Sequence, residues 1–126
     1  MYFAKTADQL NLFHLRGSIF ENMVINDFLK NAFNKGEKPK LSFYRDKTGR
    51  EIDLIAETVN GLNLFEIKAS TGYNPDYFKN IRYFEKTFPD KILSSSIIYD
   101  GPSSNINDLR SRILNFREAE IFNPDY

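Results

Sequence analysis

Cysteine and tryptophan are absent from this chain, and histidine occurs once, at His14. Without cysteine there is no disulfide, no thiolate zinc site and no sulfur nucleophile, a composition that fits a reducing compartment. A single histidine supplies at most one metal ligand, which argues against zinc and against histidine-based acid/base chemistry. His14 itself reads as a structural or exposed residue. Net charge is lacking too. The 17 basic residues balance the 17 acidic ones, so no global basic field draws in a polyanion, and nucleic-acid binding would have to come from a local patch. No apolar run approaches the roughly 20 residues of a membrane span, and the opening MYFAKTADQLNLF lacks the continuous apolar core of a signal peptide. The expectation is a soluble, cytoplasmic protein that does not engage a membrane.

What is present fits one domain over residues 1–126, a length that buries roughly two-thirds of its unfolded surface. With 12 Phe and 7 Tyr, the core is expected to rest heavily on phenylalanine. Residues 1–16 are weakly patterned. Ser18 then reads as an N-cap with Glu21 completing a capping box, opening a helix near 18–34 that Gly36 closes as a left-handed cap. Glu21, Val24, Ile25, Phe28 and Ala32 fall on one helical stripe, so the acid accompanies the apolar face and needs a partner there.

Extended runs follow near 40–46, 50–57 and 62–69, the first two joined by the turn Asp46-Lys47-Thr48-Gly49 as a hairpin and the three together as a meander. Asn74-Pro75 marks a helix start, and Tyr77, Ile81, Phe84 and Phe88 carry the helical pattern over 75–88 until Pro89 stops it. Ile92–Tyr99 reads as a strand near 92–99, parallel to the third because a helical crossover joins them. The class is α/β, with a central mixed sheet and two flanking helices. Beyond Gly101-Pro102, residues 106–116 are read as one or two helical turns and Ala119–Phe122 as a short terminal strand.

The chemistry lies in three places: Glu21, Asp53 in Arg50-Glu51-Ile52-Asp53-Leu54, and Glu66 with Lys68 in Phe65-Glu66-Ile67-Lys68. Alternation puts Glu66 and Lys68 on one face of their strand, and Glu51 and Asp53 together on theirs, opposite Ile52, Leu54 and Ala56. In a suitable register Asp53, Glu66 and Lys68 converge. Magnesium prefers oxygen ligands, commonly one or two carboxylates completed by water and phosphate, so Asp53 and Glu66 are the candidate ligands for Mg2+ or Mn2+. Lys68 would orient or help deprotonate a water, and Glu21 would assist. A Glu-x-Lys on a strand is elsewhere often a solvated ion pair worth about 0–1 kcal/mol. An aspartate inside an apolar strand is harder to explain that way, because Asp is depleted in strands.

Taken together, Gly17-Ser18-Ile19-Phe20-Glu21-Asn22, Phe43-Tyr44-Arg45-Asp46-Lys47-Thr48-Gly49-Arg50-Glu51-Ile52-Asp53 and Phe65-Glu66-Ile67-Lys68-Ala69-Ser70 resemble one family over roughly residues 16–100. It is the nuclease-like domain of unknown function found C-terminal to AAA-type ATPase domains in bacteria and archaea, within the PD-(D/E)xK superfamily. The resemblance implies a restriction-endonuclease-like fold and a catalytic set of Glu21, Asp53, Glu66 and Lys68. Ile52 stands where the superfamily name has proline, a departure that leaves the ligands untouched. It also implies an ATPase partner, in cis or in trans, and a homodimer where both strands of a duplex are cut. The chain has no glycine-rich phosphate loop of its own, so it is expected to be a C-terminal domain of a larger ATPase or a free-standing copy.

Two functions from different classes follow. The first is metal-dependent cleavage of nucleic acid, DNA in preference to RNA. Arg45 would touch phosphate, and Lys79, Arg82 and Lys86 would form a basic stripe on the second helix, with Lys35, Lys38 and Lys40 a smaller cluster. The second is a non-catalytic interaction module of an AAA-type ATPase, docking through residues such as Phe116, Phe122 and Tyr126. A hydrolase using paired carboxylates from Glu51, Asp53 and Glu66 ranks below both, because it leaves Lys68 without a task.

Overall fold

The computed structural model describes residues 7–36, 38, 40–105 and 110–118. Among them the chain forms α1 (Ala7–Asn34), β1 (Leu41–Arg45), β2 (Glu51–Thr58), β3 (Gly61–Lys68), α2 (Lys79–Thr87), β4 (Ile92–Tyr99), β5 (Ser104–Asn105) and β6 (Ser111–Asn115). The strands make one mixed sheet in the order β1-β2-β3-β4-β6-β5. β1, β2 and β3 pair antiparallel as a meander, and β4 joins β3 in parallel. The α/β reading holds, with all four expected strands close to their predicted ranges.

The first helix is longer than the sequence signals indicated. Ser18 and Glu21 lie in its interior, so there is no cap at Ser18 and no capping box. Ten residues before Gly17 contain no proline and no β-branched side chain, and one internal glycine, costing about 1 kcal/mol, does not stop such a run. The C-terminal end behaves as read: Gly36 takes φ +73° and donates its N–H to the Phe33 carbonyl. The second helical segment opens with a single 3-10 turn, Pro75–Phe78, capped by the Asn74 side chain, which accepts the Asp76 N–H.

Two apolar layers sandwich the sheet. On one face Ile52, Ile55, Leu64 and Ile97 pack against Phe78, Ile81 and Phe84 of the second helical segment. On the other, Leu54, Ala56, Phe65, Ile67 and Ile98 pack against Val24 of α1, with Phe20, Ile25 and Phe28 beside them. The predicted α1 stripe is therefore the one that faces the core. Arg50 lies over the Tyr83 ring at 3.8 Å, which ties the β1–β2 hairpin to α2.

Two C-terminal expectations change. Residues 111–115 form a strand, not helical turns: β6 pairs in parallel with β4, Ser95 opposite Ser111 through Tyr99 opposite Asn115. Ile113 is buried, and the open edge of β4 offers backbone partners that a helical turn would leave unpaired. Arg110 and Phe116 are turn residues, residues 106–109 of that prediction lie outside the described residues, and so does the predicted strand at Ala119–Phe122. Phe116 is not an exposed docking residue either. Its ring packs edge-on against Phe20, 5.3 Å between centroids. Phe122 and Tyr126 fall outside the described residues.

A candidate acidic site where two strands part

The β2–β3 ladder runs from Thr58 opposite Gly61 to Leu54 opposite Phe65 and goes no further. β3 nevertheless continues beside β4 to Lys68 opposite Tyr99, and β2 continues beside β1 to Glu51 opposite Arg45. The two central strands thus part at one end of the seam, and side chains take over the backbone's hydrogen bonds there. The Ile67 N–H donates to Asp53 Oδ2 at 2.9 Å, and the Asp53 N–H donates to Glu66 Oε1 at 3.2 Å.

A bulge in β2 makes this possible. Between Ser42 opposite Ile55 and Tyr44 opposite Ile52, β1 spends one residue, Phe43, where β2 spends two, Asp53 and Leu54. The strict alternation expected of Ile52, Leu54 and Ala56 is broken: Ile52 lies in the layer under α2, whereas Leu54 and Ala56 lie in the layer under α1. A bulge bends the strand and redirects its side chains. Here it aims Asp53 into the gap.

Glu66 is only 3% exposed. Burial first, and the neighbouring Asp53 charge second, push its carboxyl from 4.5 up to about 8, while Lys68 pulls the other way. Burial raises the Asp53 carboxyl as well, against the lowering effects of the Ile67 N–H, the Lys68 charge and a side-chain hydrogen bond with Glu66. The charge on Asp53 thus disfavours a second charge on Glu66. Lys68 Nζ lies 3.5 Å from Glu66 Oε2 and 5.5 Å from the centre of the Tyr77 ring. On α1, burial and then the Asp53 charge raise the Glu21 carboxyl, with Arg45 and Lys68 lowering it. Glu21, Asp53, Glu66 and Lys68 thus form one electrostatic cluster drawn from three elements.

Negative charge exceeds positive in this desolvated cluster, and a bound cation would relieve it as a proton does. Among the described residues no group of three or more His, Asp or Glu side chains forms a metal cage. Mg2+ needs none, being held by one or two carboxylates with water and phosphate completing its shell. Asp53 and Glu66, two hard oxygen donors side by side at the end of the β2–β3 seam, fit that requirement.

The expected basic residues divide. Arg45 pairs with Glu51 at 3.5 Å on the surface. Lys79 and Lys86 are exposed on α2. Arg82 is engaged elsewhere: its guanidinium donates to Glu85 at 2.7 Å and to Ser111 at 2.9 Å, and lies over Phe78 at 4.6 Å. It fastens α2 to β6. Sequence reasoning did not single out Tyr77 or the Ile67 N–H, because Tyr77 reads as one more apolar position on its helix and a backbone donor leaves no mark in a sequence. Only the parting of the strands shows both.

The profile of one family, described as a domain of unknown function (DUF4143), matches residues 16–114. No curated protein and no solved structure matches the chain. The matched range includes Glu21, Asp53, Glu66 and Lys68. Among the described residues no helix is long and apolar enough to cross a membrane.

Proposed function

The chain belongs to the DUF4143 family of unknown function, and on that footing we propose that it hydrolyses phosphodiester bonds of nucleic acid with Mg2+ or Mn2+, DNA being the first substrate to test. One observation carries the reading: Asp53 and Glu66 meet where β2 and β3 part, with Lys68 Nζ 3.5 Å from Glu66. The resemblance to PD-(D/E)xK nucleases supports it, since the same four residues fill that superfamily's polar positions.

Asp53 and Glu66 would hold the cation. When bound, it supplies acidity to a nearby water and positive charge beside the phosphate. The Ile67 N–H holds Asp53 in place, so its carboxylate need not reorganise. Lys68, steadied by Glu66 and the Tyr77 ring, directs an ammonium toward the same point, where it orients water and offsets charge building on the phosphate. Glu21 adds a third carboxylate that accepts hydrogen bonds from water at the site. The protein layers on both sides limit solvent and strengthen each of these interactions.

Calorimetric titration of Mg2+ and Mn2+ into the wild type and Asp53→Asn, with plasmid and single-strand cleavage assays on the same samples, tests the reading. Binding and cutting are expected in the wild type, and loss of both in Asp53→Asn. Lys68→Ala should still bind metal but cut at least 100-fold more slowly, within the range for loss of an acid/base or charge-stabilising group. Cutting by either variant at the parental rate would overturn the assigned roles.

A second reading has its own support. Leu12, Leu15, Ile19 and Met23 are exposed and recur along the outer side of α1, which is therefore apolar on both sides, as partnered helices are. That suits an interaction module of an AAA-type ATPase, for which the titration would show neither binding nor cutting.

A further inference from the structure

Phe43 is 68% exposed on β1, an edge strand of the sheet among the described residues. Single exposed apolar residues are ordinary, but an edge strand is where proteins usually avoid them. Its location gives it meaning. Phe43 is the β1 residue that stands opposite the Asp53–Leu54 bulge, one strand spacing, about 4.8 Å, from the acidic site. Leu41 packs in the layer under α1, so by alternation Phe43 and Arg45 rise on that same face, where Arg45 acts on Glu21. The Arg45 guanidinium lies 5.6 Å from the Phe43 ring centre. Its bond to Glu51 is a surface ion pair, with side chains 69% and 47% exposed, and such a pair gives way readily to a phosphate. Lys38, Lys40 and Lys47 are exposed on the same stretch of chain.

We propose that Phe43 and Arg45 form a binding site for unpaired nucleic acid, the Phe43 ring stacking on a base and the Arg45 guanidinium taking an adjacent phosphate. An exposed ring beside a cation is the pairing that single-strand binders use, because every base offers a π-face while duplex bases are already stacked. Phosphate contact alone would not distinguish strand state. The inference deepens the nuclease reading by naming single-stranded or locally unpaired strands as the substrate class, and it rests on that reading for what happens after binding.

The test is fluorescence anisotropy with a labelled single-stranded DNA oligonucleotide, its RNA equivalent and the annealed DNA duplex. It is run in chelator so that nothing is cut, on the wild type, Phe43→Ala, Phe43→Leu, Phe43→Tyr and Arg45→Ala. Phe43→Ala and Phe43→Leu should weaken single-strand binding roughly tenfold, the loss of about one stacked base, while duplex binding changes less than twofold and Phe43→Tyr keeps the wild-type affinity. Arg45→Ala should weaken every probe and make the salt dependence shallower. Wild-type affinity in Phe43→Ala, full retention in Phe43→Leu, equal losses on duplex and single strand, or no single-strand binding by the wild type would each overturn the proposal. Phe43-dependent binding without metal-dependent cutting would sink the nuclease reading and leave this inference standing. Cutting with Phe43-independent binding would do the reverse.

Discussion

Glu66 shows how much one residue's surroundings can alter its chemistry. In the unfolded chain its carboxyl titrates near 4.5, and in the metal-free fold burial and Asp53 lift it to about 8. The folded state therefore binds more protons than the unfolded state between those values, so stability falls as pH rises across that window. Thermal unfolding in chelator should give a lower Tm at pH 8.5 than at pH 6, and Glu66→Gln should remove much of the difference. An unchanged slope in the variant would mean that Glu66 does not carry the effect. Saturating Mn2+ should raise Tm more at the higher pH, because the cation competes with the proton for the same carboxylates. Gly17 offers a simpler case. It lies inside α1, and a Cβ there would meet nothing within 4 Å, so Gly17→Ala should stabilise the protein by roughly 0.5–1 kcal/mol in denaturant unfolding.

Among the elements, β2 does the most to create the site. An unbroken strand would have carried its ladder with β3 past Leu54, pairing the backbone groups that the two carboxylates now satisfy. The bulge at Asp53–Leu54 ends that ladder and exchanges regularity for one buried and one half-buried acid, Glu66 and Asp53. α2 shows the opposite case, an element whose charged residue serves packing. Arg82 joins Glu85, Ser111 and the Phe78 ring, and its side chain remains 39% exposed, so solvent weakens each contact. Arg82→Ala should cost roughly 1–2 kcal/mol in denaturant unfolding and leave nucleic-acid affinity nearly unchanged. A large loss of affinity at unchanged stability would return Arg82 to the binding surface.

For the molecule as a whole, charge balance limits how nucleic acid can be held. A chain with 17 charges of each sign has no long-range pull on a polyanion, so only contacts near the site contribute. Two to four phosphate contacts would give a slope of log affinity against log salt of roughly −1.4 to −2.8 on a single strand. A titration across salt concentrations checks this, and a much steeper slope would reveal a larger basic surface than the one around β1.

The α/β class, the meander, the crossover helix and the four polar positions were legible in the sequence because each follows from local rules. Alternation marks strands, Asn74-Pro75 marks a helix start, and acids on apolar stripes are conspicuous. The start of α1 was not legible, since Ser18 and Glu21 satisfy a capping pattern whether or not the helix already runs through them. β6 was hidden for a related reason, its five residues acquiring strand character only beside β4. Tertiary structure alone decided that Asp53 and Glu66 meet. That depends on one residue's difference in register between β1 and β2 and on where the β2–β3 ladder stops, and such long-range pairings leave no periodic trace along the chain.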